Sequence, residues 1–189
     1  YKEWYAGVVL DNPGKQIIGD ADYRRIQDVA AAVRGHRIAG QLLSEPGTAE
    51  MFLEWEHPET GTKMKGRPDW YMQSGRLVDI KTCEDARMPA FSRSIWNYLY
   101  HIQAAVYFEG IRETTGQIVP FTWIAVEKDP PYALCVYDIH ISTLELGQTD
   151  ADRCIHIYEQ CIKTGLWPAY YEEIREIQLP SWAGVTEVA

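Results

Sequence analysis

The chain has 189 residues, 46% hydrophobic and 12% aromatic, with seven Trp, twelve Tyr and a formal net charge of −9. Size and composition point to one folded domain with a substantial core and exclude a disordered chain. The acidic balance excludes a sequence-independent DNA coat, which would be basic throughout, but admits an enzyme that grips nucleic acid locally and offsets carboxylates with metal ions.

No apolar stretch approaches the roughly 20 residues needed to cross a bilayer, and no basic-then-apolar leader is visible, so neither a membrane protein nor a secreted one is expected. The four cysteines lack CxxC spacing, which argues against a zinc site or a disulfide framework and for reduced thiols in a cytoplasmic protein. The first residue is Tyr1 rather than Met, which leaves room for an upstream segment.

Residues 1–19 give no clear pattern. From Asp20, a plausible N-cap, Tyr23, Ile26, Val29, Val33, Ile38 and Leu42 recur at near-helical spacing, and the SEPGT stretch (44–48) ends that helix. Residues 49–57 read as a strand and Pro58–Gly61 as a turn; strands near 62–72 and 76–82 complete a three-stranded meander with a tight turn at Gln73–Arg76. A long helical pattern follows, from about Pro89 to Thr115. Two more strands are expected at 120–128 and 132–139, separated by Asp129-Pro130-Pro131, and a second long helix at about 142–164. The expected fold is α/β, a mixed central sheet flanked by helices, in a single domain over 1–189.

The second hairpin raises a question of burial. Asp69 sits in its first run and Asp79 and Lys81 in its second, where apolar side chains belong. Strand alternation sends Asp79 and Lys81 to one face and Val78, Ile80 and Thr82 to the other, and pairing would bring Asp69 beside Asp79. Two carboxylates are hard oxygen ligands suited to Mg²⁺ or Mn²⁺, and a lysine beside them can orient water or stabilise charge on phosphorus. An Asp-x-Lys pair alone is more often a solvated strand; Pro-Asp, a ten-residue gap and Asp-Ile-Lys closing an apolar strand is more specific. In the next helix, Gln103 and Tyr107 are four apart and share a face with Leu99. They would either hold the lysine or touch a nucleic-acid backbone, or serve as an edge residue and a core residue.

RPDW with VDIKT, followed by YHIQAAVY, resembles the PD-(D/E)xK nuclease superfamily, whose core is restriction-endonuclease-like. Within it the chain looks like the RecB-like branch with a Gln-x-x-x-Tyr helix, and most of all like RecE-type (exonuclease VIII) C-terminal nuclease domains. That likeness runs from about Gly19 to Trp182 and includes the LWPAY and LPSWA segments of the tail. The resemblance implies that Asp69 and Asp79 bind the divalent metal with the backbone carbonyl of Ile80, that Lys81 is the catalytic lysine, and that Gln103 and Tyr107 support the site. It also implies a phosphate contact for His101 and a supporting role for Glu50. The expected activity is 5′-to-3′ exonuclease action on linear double-stranded DNA in phage-type recombination or repair, by a homo-oligomer working with a single-strand annealing protein.

One departure stands out. Similar nucleases carry a metal-binding His in a Gly-Thr-x-x-His context on an early helix, and no such motif precedes residue 36 here. By order along the chain that helix would precede Tyr1, so either the chain is truncated or the site lacks that ligand. His36 is expected to be a solvated helix residue, and His57, His140 and His156 to lie in a turn, at a strand end and on a helix surface. Two other functions compete with the exonuclease: a non-catalytic DNA-binding or assembly module on the same fold, motivated by the absent histidine, and an endonuclease of the same superfamily. No GxxxxGK[ST] loop or nucleophile elbow is present. Trp70, Tyr71, Trp96, Tyr98 and Tyr100 flank the hairpin chemistry; packing is their commoner use, stacking on frayed bases the functional one.

Overall fold

The computed structural model describes residues 2–180. Helix α1 (Lys2–Asp11) precedes α2 (Asp20–Gly35) and α3 (Arg37–Ser44), two helices where periodicity alone suggested one. The break is at His36, whose extended backbone (ψ 128°) ends α2 and whose Nδ1 accepts the Ala39 N–H at 3.2 Å to cap α3. Gly40 allows the two helices to meet closely, since a Cβ there would lie 2.2 Å from the Arg34 carbonyl oxygen. The N-cap of α2 is Gly19 rather than Asp20, and Asp20 and Asp22 occupy the first helical turn, where carboxylates favour the dipole.

Strands β1 (Gly47–Ala49), β2 (Leu53–Glu56), β3 (Lys63–Gly66), β4 (Trp70–Met72) and β5 (Arg76–Cys83) follow. They do not form the expected meander. The 49–57 run is bent at Glu50 (φ 52°), and the 62–72 run is interrupted at Arg67–Asp69, so β2 and β3 pair as a separate ribbon while β1 and β4 join the main sheet. Pro68 supplies the physical reason, having no N–H to give a ladder. The main sheet has the order β1-β4-β5-β6-β7, with β6 at Phe121–Glu127 and β7 at Leu134–Asp138. Among the described strands only β5 and β6 run parallel, in register from Leu77↔Phe121 to Cys83↔Glu127. A parallel pair needs a crossover, provided here by α4 (Met88–Asn97) and α5 (Tyr100–Thr115). The long helical pattern after Pro89 is thus also broken, at Tyr98 and Leu99, where Leu99 takes φ 57°.

Strand alternation divides the core. Leu77 and Cys83 pack with Phe91, Ala104, Ile111, Phe121 and Trp123 under α4 and α5, and Leu53 and Trp55 of the ribbon join this layer. Val78, Ile124 and Val126 pack on the other face with Val33 and Ala39 of α2 and α3. A long helix, α6 (Ile141–Thr164), lies along α5 through small residues, with Gly147 against the backbone of His101. Among the described residues, no helix is long and apolar enough to cross a membrane.

Candidate active site at strand β5

Alternation also determines what β5 presents. Asp79 and Lys81 share the face of Leu77 and Cys83, beneath α5, while Val78 and Ile80 take the opposite face. Asp79 is 1% exposed. Its close cationic neighbour is Lys81, whose Nζ lies 2.6 Å from Asp79 Oδ2. Burial pushes the Asp79 carboxyl up to about 6; the positive charge of Lys81 opposes this, and the charges of Asp69 and Glu50 add to it.

Asp69 arrives from the other strand. The register Trp70↔Val78 places it alongside the Asp79–Ile80 segment, and its Oδ2 accepts the Ile80 N–H at 2.7 Å. Ile80 thus enters the site through its backbone. Its side chain belongs to the opposite core layer. Glu50 stands nearby, its N–H donating to the Asp69 carbonyl at 3.0 Å and its carboxylate held by Arg67 at 2.6 Å.

Helix α5 completes the arrangement. Lys81 Nζ donates to Gln103 Oε1 at 2.7 Å, and Gln103 Nε2 donates to the Tyr107 hydroxyl at 3.3 Å. The i,i+4 spacing makes this relay: the amide orients the ammonium, and the phenol orients the amide. Gly66 leaves room for the phenol, since a Cβ there would lie 3.1 Å from the Tyr107 ring. Burial, followed by the Asp79 charge, raises the Tyr107 pKa and keeps it a neutral hydroxyl. Lys81 Nζ also sits 4.8 Å from the centre of the Tyr100 ring, a cation–π contact that sequence spacing did not reveal.

The donor set suits a hard divalent cation. Two carboxylates adjoin where a single ammonium, Lys81, offsets them, so the buried Asp79 charge stays costly unless a further cation joins it. The histidines contribute less. His36 caps α3. His101 is 2% exposed, stacked on Trp96, with Nδ1 3.3 Å from the Ile95 carbonyl and Nε2 3.4 Å from Asp150, so its ring is enclosed by protein; the expected phosphate contact is corrected accordingly. His57 opens the turn between β2 and β3, as expected, but is only 3% exposed, in a cluster with Glu109 and Asp152. There Trp55 Nε1 donates to Glu109 at 2.8 Å, and Gln148 donates to Glu109 and Asp152 at 2.9 and 2.8 Å, so the oxygens are already satisfied and the cluster ties the ribbon to α5 and α6.

The raised Asp79 carboxyl has a consequence for the metal-free protein. The native state holds this proton up to about 6, whereas an unfolded chain releases it at the ordinary 3.8. Between those values the folded protein binds more protons, so raising the pH favours unfolding. Asp79 is therefore expected to withdraw up to about 3 kcal/mol of stability across that window. Urea titrations of wild type and Asp79→Asn on either side of it should differ only in that slope; parallel curves would disprove the assignment.

Residues 2–180 match the family described as "PDDEXK-like domain of unknown function (DUF3799)", and the chain belongs to that family. No curated protein matches it. Among solved structures, the chain is similar to the "Putative exonuclease" of Eubacterium rectale, at 17% identity and TM-score 0.68, over 94% of this chain and 70% of that one. An alkaline exonuclease from Laribacter hongkongensis aligns at 16% identity and TM-score 0.38, over 80% of this chain and 77% of that one. The fold is that of the PD-(D/E)xK superfamily, as the hairpin motif led one to expect.

Proposed function

We propose that the chain is a metal-dependent deoxyribonuclease that hydrolyses DNA phosphodiester bonds, acting from the ends of linear duplexes. The observation that carries this reading is the single connected array Asp79–Lys81–Gln103–Tyr107, with Asp69 locked onto the Ile80 backbone beside it. Asp69, Asp79 and the Ile80 carbonyl would hold Mg²⁺ or Mn²⁺. A cation bound there neutralises phosphate charge and acidifies water.

The protein's own groups supply the positioning. Asp79 and Gln103 aim the Lys81 ammonium, which can hold the attacking water or donate to a phosphate oxygen as negative charge builds on it. The water oxygen bonds to phosphorus and gives up a proton, the P–O3′ bond breaks, the 3′ oxygen takes up a proton, and a 5′-phosphate remains. The cost of burying Asp79 as an anion is consistent with a carboxylate retained for chemistry rather than stability. Digestion from 5′ ends, a single-strand annealing partner and a homo-oligomer are proposed on the RecE-like resemblance alone.

Digestion of linear and closed circular duplex DNA in Mg²⁺, with Lys81→Ala alongside, tests the reading. Loss of the linear substrate only, abolished by the substitution, is expected. Cleavage of the circle would make the enzyme an endonuclease, and Mg²⁺-indifferent DNA binding without cleavage would make it a binding module. Gln103→Leu is expected to slow digestion about 10- to 100-fold, the usual loss when a partner that orients a metal-site residue is removed; an unchanged rate would show that Lys81 needs no such support.

A further inference from the structure

The corner between α4 and α5 displays aromatic surface that the fold does not bury. Trp96 is 60% exposed, Tyr98 68% and Leu99 52%, although the buried His101 is only two residues further on. Clustered apolar exposure of this kind marks a binding surface, whereas scattered single residues do not. Leu99 also holds φ 57°, a conformation unfavourable to a residue with a branched side chain, and the turn it makes separates the two helices at Tyr98.

This corner is connected to the proposed active site. The Tyr98 ring stacks on Tyr100 with centroids 5.5 Å apart and planes 28° apart, and the Tyr100 ring faces Lys81 Nζ. A cavity of about 340 Å³ opens beside both tyrosines, lined also by Ser94, Lys128, Glu84 and Asp85. Its chemistry selects the occupant. Glu84 is paired with Lys128 at 2.8 Å and Asp85 with Arg87 at 2.6 Å, so the walls offer a phosphate no unpaired cation, whereas the tyrosine faces and the Ser94 hydroxyl suit a flat, uncharged ring with polar edges.

We propose that this corner holds an unpaired nucleobase of the strand being cut, stacked on Tyr98 and Tyr100 while its neighbouring phosphodiester lies at Lys81. The proposal rests on the nuclease reading and adds a site for a nucleotide separated from its partner strand. Base stacking is sequence-tolerant because every base offers a π face, so the site would not impose sequence preference.

The test uses the whole chain in Ca²⁺ with a linear duplex whose unpaired terminal base is 5-iodouracil, a probe that photocrosslinks to a stacked aromatic ring. Crosslinked residues are mapped by mass spectrometry, and binding is followed separately by fluorescence anisotropy of a dye at the far end. Crosslinks at Tyr98 or Tyr100, reduced about tenfold in Tyr98→Leu and restored in Tyr98→Phe, are expected for one base–aromatic stack. DNA binding with crosslinks elsewhere, or undiminished in Tyr98→Leu, would overturn the proposal and leave the nuclease reading standing. Absence of DNA binding would overturn both.

Discussion

Asp79→Asn is expected to lower the rate of DNA hydrolysis by about a thousandfold or more while the protein remains folded. The substitution keeps the shape of a side chain that is 1% exposed but removes the charge. A neutral amide is a poor ligand for a hard cation and cannot hold the Lys81 ammonium as an ion pair. Losing several kcal/mol of charge stabilisation at phosphorus corresponds to at least that factor in rate. The stability of the metal-free variant at neutral pH should not fall, because the wild-type anion is buried at a cost that the amide avoids. Comparing digestion rates with urea midpoints separates the two effects. An active variant would remove Asp79 from the chemistry; an unfolded one would make it structural.

The second large effect is expected at a residue far in sequence from the hairpin. Gly147→Leu should destabilise the protein by about 3 kcal/mol or more. Gly147 lies where α6 crosses α5, and even a Cβ there would fall 2.2 Å from the His101 carbonyl oxygen and 3.2 Å from the Ala105 Cβ. The obstacle is helix backbone, so no rotamer change relieves it and the helices must separate. Because α5 also carries Gln103 and Tyr107, a displaced α5 would loosen the support of Lys81, and activity should fall together with stability. Denaturant unfolding of the variant, with digestion measured well below its midpoint, checks both; wild-type values would show that α6 does not constrain α5.

Much of the candidate site was legible because its spacing is local. Asp79 and Lys81 share a face by the two-residue period of a strand, and Gln103 and Tyr107 by the turn of a helix. The Pro-Asp and Asp-Ile-Lys texts stand on segments that a tight turn joins, so their approach follows from the hairpin itself. Element types were legible for the same reason. Element boundaries were less so: His36 and Leu99 break helices whose apolar periodicity runs through uninterrupted, because a cap and a positive φ are imposed by what each helix packs against.

By itself, the sequence determined the types of element and the chemical groups each presents, since backbone periodicity and side-chain chemistry are properties of neighbouring residues. Only the tertiary structure decided that the ribbon of β2 and β3 leaves the main sheet, that His57 meets Glu109 and Asp152, that His101 is enclosed, and that Tyr98 stays outside. Those outcomes depend on which surfaces exclude water together, and no local pattern records that because the partners lie up to 95 residues apart.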